Sequence, residues 1–144
     1  MDDASFRQAL KLKKNVYLAE GAFSGGDRAT SNFKVSNIRV AANPGGFDRV
    51  VVDFQNSSRA PFFMVQNDPT TRRVTVTIYG KVKLDFSMRT ASQSAKKSKW
   101  IQSLEFIPLV EEDRFIFYAQ TQKPVKTEVF ELTGPARIII DLKP

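Results

Sequence analysis

Apolar and polar residues alternate along most of this chain with a period of two, and the pattern is clearest in a stretch that occurs twice. Arg49-Val50-Val51-Val52-Asp53-Phe54 is echoed by Arg137-Ile138-Ile139-Ile140-Asp141-Leu142. Each copy reads Arg, three β-branched residues, Asp and a large apolar residue. β-Branched side chains are stiff at χ1 and suit a pleated, half-buried surface, so both copies are expected to be strands. Side chains alternate across a strand. Val50, Val52 and Phe54 therefore share an apolar face, as do Ile138, Ile140 and Leu142. Arg49, Val51 and Asp53, and Arg137, Ile139 and Asp141, share the opposite faces, each an apolar residue between opposite charges. Such strands suit a sheet packed on one side.

The same period recurs elsewhere. Phe33 to Val40 alternates loosely, with Phe33, Val35, Ile38 and Val40 apolar. Strands are also expected over Phe62–Gln66, over Arg73–Tyr79, through Val82, Leu84, Phe86 and Met88, over Arg114–Gln120 and over Lys126–Leu132. Trp100–Leu109 is ambiguous between helix and strand. Asn43-Pro44-Gly45-Gly46, Asn67-Asp68-Pro69, Glu111-Glu112-Asp113 and Gly134-Pro135 punctuate the runs as turns, and Gly80 breaks or bulges one of them. Ser5 and Gln8 fit a capping box, with Phe6, Ala9, Leu10 and Lys13 on one side, so residues 2–14 read as a short helix. Val16-Tyr17-Leu18 is the alternative start of a strand. Gly21 to Ser31 is rich in Gly and Ser and reads as a loop or linker. Residues 89–99, polar and basic, read as a mobile loop between two related halves. The expected architecture is all-β: a β-sandwich of two small sheets with pseudo-repeated halves over 31–144, preceded by an extension over 1–30.

Composition narrows the chemistry. A chain of 144 residues is one domain by default and buries roughly 68–70% of its unfolded surface without staples. The 12 Phe supply a core. No run reaches the roughly 18 apolar residues of a membrane-spanning helix. The formal charge of +7 favours anionic partners. With no Cys and no His, the imidazole base, the thiolate nucleophile and N- or S-ligated zinc are excluded. Absence of Cys leaves the redox compartment open. Met1-Asp2-Asp3 has neither the basic nor the apolar region of a signal peptide, and a processed precursor restarted from Met would read the same.

Gly46-Phe47-Asp48-Arg49-Val50-Val51-Val52-Asp53-Phe54, Gly80 after a Val-Thr-Val-Thr-Ile strand, and Gly134-Pro135-Ala136-Arg137-Ile138-Ile139-Ile140-Asp141-Leu142 together resemble the AMIN and AMIN-like domains of bacterial envelope proteins, over about residues 33–144. The resemblance implies a non-catalytic β-sandwich that binds peptidoglycan, or another anionic envelope polymer, and localises the protein carrying it. It implies a periplasmic or envelope location, alone or beside an amidase- or secretin-type protein. The basic 89–99 segment and the N-terminal segment have no counterpart in that pattern.

Candidate binding residues follow from side-chain chemistry. A guanidinium matches a carboxylate in a two-pronged fork, so Arg49 and Arg137 are candidates for the carboxylates of wall stem peptides. The competing reading makes them a charged outer face or the cross-strand partners of Asp53 and Asp141. Tyr79 and Trp100 are candidates for stacking on sugar rings, and Lys96, Lys97 and Lys99 place cations beside Trp100. The alternative for Trp100 is packing. Ser31 with Lys34 and Ser94 with Lys97 satisfy S-x-x-K, but neither has the companion motifs of Ser–Lys enzymes. No catalytic, metal or cofactor site is expected. The rival reading is an OB-type nucleic-acid domain, resting on charge and Phe-rich strands, with nucleic acid the less favoured partner.

Overall fold

The computed structural model describes residues 6–9, 11–43, 45–55 and 57–144. Among these residues, eleven strands fall in the order β1 (Phe6–Gln8), β2 (Gly21–Gly25), β3 (Asn32–Asn43), β4 (Phe47–Gln55), β5 (Phe63–Asp68), β6 (Arg73–Tyr79), β7 (Lys81–Leu84), β8 (Ile101–Leu109), β9 (Arg114–Thr121), β10 (Lys126–Leu132) and β11 (Arg137–Lys143). One helix, α1 (Met88–Ser94), continues into a 3-10 turn at Ala95–Lys97. The strands form two sheets, ordered β1-β2-β5-β6-β9-β8 and β10-β11-β4-β3-β7. The chain is an all-β two-sheet sandwich.

The two copies of the repeated motif lie side by side. β4 and β11 pair antiparallel about Val51 and Ile139, which sets Arg49 opposite Asp141 and Arg137 opposite Asp53. The register follows from the sequence: an Arg-x-x-x-Asp strand paired with itself antiparallel about its midpoint brings each Arg across from the other strand's Asp. The faces divide as the alternation requires. Val50, Val52, Phe54, Ile138, Ile140 and Leu142 enter the main core between the sheets, whereas Val51 and Ile139 join Phe130 in a small cluster on the other side. From the facing sheet come Phe63, Val65, Val74, Val76, Ile78, Phe115 and Phe117, all buried. The loose alternation of β3 has a geometric cause. Its register shifts between Val35 and Asn37, and this bulge restores Ile38 and Val40 to the inward face after Phe33 and Val35.

Gly80 does more than interrupt a run. It stands between β6 of one sheet and β7 of the other, with φ +132°. A Cβ there would lie 2.8 Å from the Ser31 carbonyl oxygen and 2.9 Å from Phe33 Cε1, so the crossing between layers requires glycine.

Four local expectations are corrected. Phe6–Gln8 is not helical: it pairs in parallel with β2 at the edge of the six-stranded sheet, so the sheet edge outweighs a narrow apolar stripe. Leu10 and Ser5 of that expected helix lie outside the described residues. Gly21–Gly25 is strand rather than linker, because Phe23 reaches the core and β5 supplies its hydrogen bonds. The run through Met88 ends at Leu84. Residues 88–97 are not a loop but α1 and its 3-10 extension. Ser87 caps the helix by accepting from Thr90 N at 3.1 Å, and Ala91 and Ala95, one turn apart, are both buried. Beyond the end of β7, Val40 N of β3 donates to Ser94 Oγ at 3.0 Å, so α1 takes over the sheet edge that β7 leaves. The ambiguous Trp100–Leu109 stretch resolves as β8.

The core carries the stability. Phe54→Ala is expected to cost about 3–5 kcal/mol and Ile140→Ala about 2–5 kcal/mol in urea unfolding, against less than about 0.5 kcal/mol for Ile107→Ala, whose side chain is exposed.

Candidate functional site

The outer face of β4, β11 and β10 carries a row of charge, and most of it is buried. Glu128 stands opposite Asp141, which stands opposite Arg49. Both carboxylates have no exposed surface. Arg49 Nε and Nη2 donate to the two oxygens of Asp141 at 2.7 and 3.0 Å, a two-pronged fork. Lys13 Nζ completes the group by donating to Glu128 Oε1 at 2.7 Å, to Asp141 Oδ2 at 2.9 Å and to Tyr17 Oη at 2.9 Å. Glu128 Oε2 also accepts from the backbone of Lys14 and Val16. Two cations thus meet two anions, and each carboxylate oxygen has a donor. Burial works against the Lys13 ammonium, but the bonds to Glu128, Tyr17 and Asp141 prevail and hold its pKa above the usual lysine range. The bond to Asp141 likewise raises Arg49. Burial raises Tyr17 more than its neighbouring ammonium lowers it.

These contacts strap residues 11–18 across the sandwich. Leu18 and Thr127 exchange backbone hydrogen bonds at 2.8 and 2.9 Å, which covers part of the otherwise open edge of β10. A second anchor is Glu131, which accepts from Gly26 N at 2.9 Å and from Arg59 Nη2 at 3.1 Å, with Lys11 Nζ 3.1 Å away. Burial alone would raise the Glu131 pKa, but these donors lower it below its usual value near 4.5.

The repeat is chemically unequal. Arg49 is committed to Asp141, as the cross-strand reading expected. Arg137, on the matching rung, leaves its buried Nε without a partner, because Asp53 accepts from Arg39 Nε at 3.3 Å instead. Both arginines lie on the outer face of the five-stranded sheet. Tyr79 lies on the outer face of the other sheet, where it packs with Phe62 at 5.4 Å between ring centroids. With Phe62, Arg28 and Met64 it lines a depression of about 570 Å³. Tyr79 therefore lies on a different sheet from Arg49 and Arg137, and none of the three lines the depression at Trp100.

The structure does gather the 96–100 group. Lys96, Lys97 and Lys99 are exposed and Trp100 is half-buried. The segment is held by a residue of the Gly46–Phe54 stretch that is not among the candidate binding residues. Asp48 is buried and its Oδ2 accepts from the Ser98 hydroxyl, from Lys99 N at 2.9 Å and from Trp100 N at 3.3 Å. Ser98 Oγ in turn accepts from Ile101 N at 2.7 Å. Trp100, Lys99, Phe47, Asp48, Asn43, Ala42 and Gly46 enclose a depression of about 350 Å³ at the β3–β4 turn. Aromatic, amide-bearing and basic residues thus border one hollow. Ser94 of the S-x-x-K pattern is occupied structurally, donating to the Ala91 carbonyl at 2.6 Å while accepting from Val40 N. Among the described residues no group of three or more carboxylates is placed to hold a metal.

Two outcomes are expected from the charge cluster. Asp141→Ala leaves Arg49 and Lys13 without their shared anion and is expected to cost about 3 kcal/mol by chemical denaturation, near the lower end for broken buried pairs because both cations retain some solvent contact. Glu131 has a depressed folded pKa. Its stabilising contribution is present above the unfolded value near 4.5 and is lost as pH falls from there through the folded value. The melting temperature is expected to fall over that acid window, and Glu131→Gln to flatten the fall; an unchanged acid limb in the variant would contradict the assignment.

The chain matches no protein-family model and no curated protein sequence, so what it binds has to be argued from its own surface.

Proposed function

We propose that the protein is a non-catalytic binding module of the bacterial cell envelope, which takes peptidoglycan or a similar anionic glycan against the Trp100 end of the sandwich. The observation that carries this reading is the hollow beside Trp100. Half-buried Trp100 and exposed Lys99 border it, and Lys96 and Lys97 are exposed on the preceding turn. The apolar face of a sugar ring packs on an aromatic ring, and neighbouring ammonium groups attract the carboxylates of lactyl groups and stem peptides. Asp48 pins the backbone of the segment, so little ordering cost falls on binding. The likeness of the two repeated strands to AMIN domains favours the same partner class and a periplasmic or envelope location, beside an amidase- or secretin-type protein. Arg49 stays outside this site, since its fork is already filled by Asp141. The OB-type nucleic-acid reading, drawn from charge and Phe-rich strands, is less favoured, because two sheets of six and five strands differ from a single five-stranded barrel and Phe54, Phe63, Phe115 and Phe117 are buried.

Trp100 is the single tryptophan, so its emission reports on the site directly. Soluble glycan fragments are expected to shift it saturably. Trp100→Ala is expected to weaken retention on purified sacculi about tenfold, the worth of one aromatic contact of about 1.4 kcal/mol. Replacing Lys96, Lys97 and Lys99 by Ala is expected to reduce the salt sensitivity of retention. Retention no better than that of an unrelated protein of equal charge, or tight salt-steep binding to single-stranded oligonucleotide instead, would refute the proposal.

A further inference from the structure

Three lysines crowd together at the end of β3 away from Trp100. Lys34 of β3 and Lys83 of β7 are register partners in the parallel pairing of these strands. Their backbones are therefore about 4.8 Å apart, and Lys81, two residues before Lys83, lies on the same face about 6.6 Å along β7. Phe33, Val35 and Val82 point the other way into the core, which turns all three lysines outward. With Asn32, Gln55 and Ser57 they border a depression of about 420 Å³. Among the described residues none of the three makes an ion pair. The carboxylate on this face of β4, Asp53, is taken by Arg39.

Edge lysines discourage sheets from joining, and β7 is an edge, so Lys81 and Lys83 have that ordinary use. Lys34 does not. It sits one strand inward, directly across from Lys83, where like charges repel. Nor does edge protection account for the amide and hydroxyl groups of Asn32, Gln55 and Ser57 around the same hollow. A multiply charged oxyanion accounts for both, since it neutralises the three ammonium groups and accepts from the neutral donors.

We propose that this depression is a phosphate-binding site, selective for compounds whose phosphoryl groups carry two or more negative charges. It is separate from the glycan hollow. Lys34 and Asn43 lie nine residues apart on β3, roughly 30 Å along an extended strand, so the two sites are tested independently.

The probe is tripolyphosphate, titrated at low and at physiological salt. One equivalent is expected to bind, and Lys34→Gln and Lys83→Gln are each expected to weaken it about tenfold, with Lys97→Gln changing it about twofold or less. The free Lys34→Gln protein is expected to melt at or above the parent's temperature, because the substitution relieves repulsion. Absence of saturable binding would overturn the proposal. So would equal losses from Lys34→Gln and Lys97→Gln, which signify diffuse charge, or a Lys34→Gln protein that melts lower and binds unchanged, which signifies a purely structural lysine.

Discussion

Two carboxylates with no solvent contact, Glu128 and Asp141, set a condition that much of this molecule satisfies. A buried charge is costly unless it is paired and its remaining lone pairs are filled. Arg49 answers Asp141 from the neighbouring strand, but that leaves Glu128 beside another anion. Lys13 supplies the missing charge, and the Lys14 and Val16 amides fill the other oxygen of Glu128. The N-terminal segment is consequently a structural part of the five-stranded sheet, although its first strand belongs to the six-stranded one. Phe47 shares in this arrangement, with Lys13 4.5 Å and Arg49 5.4 Å from its ring centroid.

Neighbouring residues of β4 serve opposite sides of the structure. Arg49 points outward to the charge cluster, and Asp48 points the other way to hold the 98–100 backbone. Strand alternation alone divides the two roles. The candidate glycan hollow thus borrows its rigidity from the same strand that organises the outer face, and Phe47, which borders the hollow and packs beside Lys13 and Arg49, joins the two regions.

The alternation made most of the sheet structure readable. β6 and β10 have the bounds that the pattern gives, and the inward faces of β4 and β11 are the apolar ones. The failures have physical causes. The glycines of β2 carry no pattern, and its pairing with β5 on one side and β1 on the other makes it a strand. α1 and its 3-10 extension hide one buried alanine each in a polar sequence, and the helix start depends on a serine cap that reads equally well as loop. The edge of β2 decides the fate of Phe6–Gln8. The candidate sites were legible by residue type but not by place: periodicity says which residues share a face of one strand, not which sheet that strand joins. Hence Tyr79 and Arg49 looked like partners of Trp100 and lie on separate surfaces. Lys13 gave no signal at all, since its partners are 115 and 128 residues away.

That separation bears on how the protein comes into being. During synthesis the strap is made before β10 and β11, which carry its anions and follow more than a hundred residues later. Contacts so distant in sequence close slowly. Until then Lys13 lacks these two carboxylates, and β4 lacks its neighbour β11, so one of its edges stays unpaired. Folding is complete only when residues 11–18 are stitched to β10 and β11, which makes the strap a late-closing seam of the sandwich.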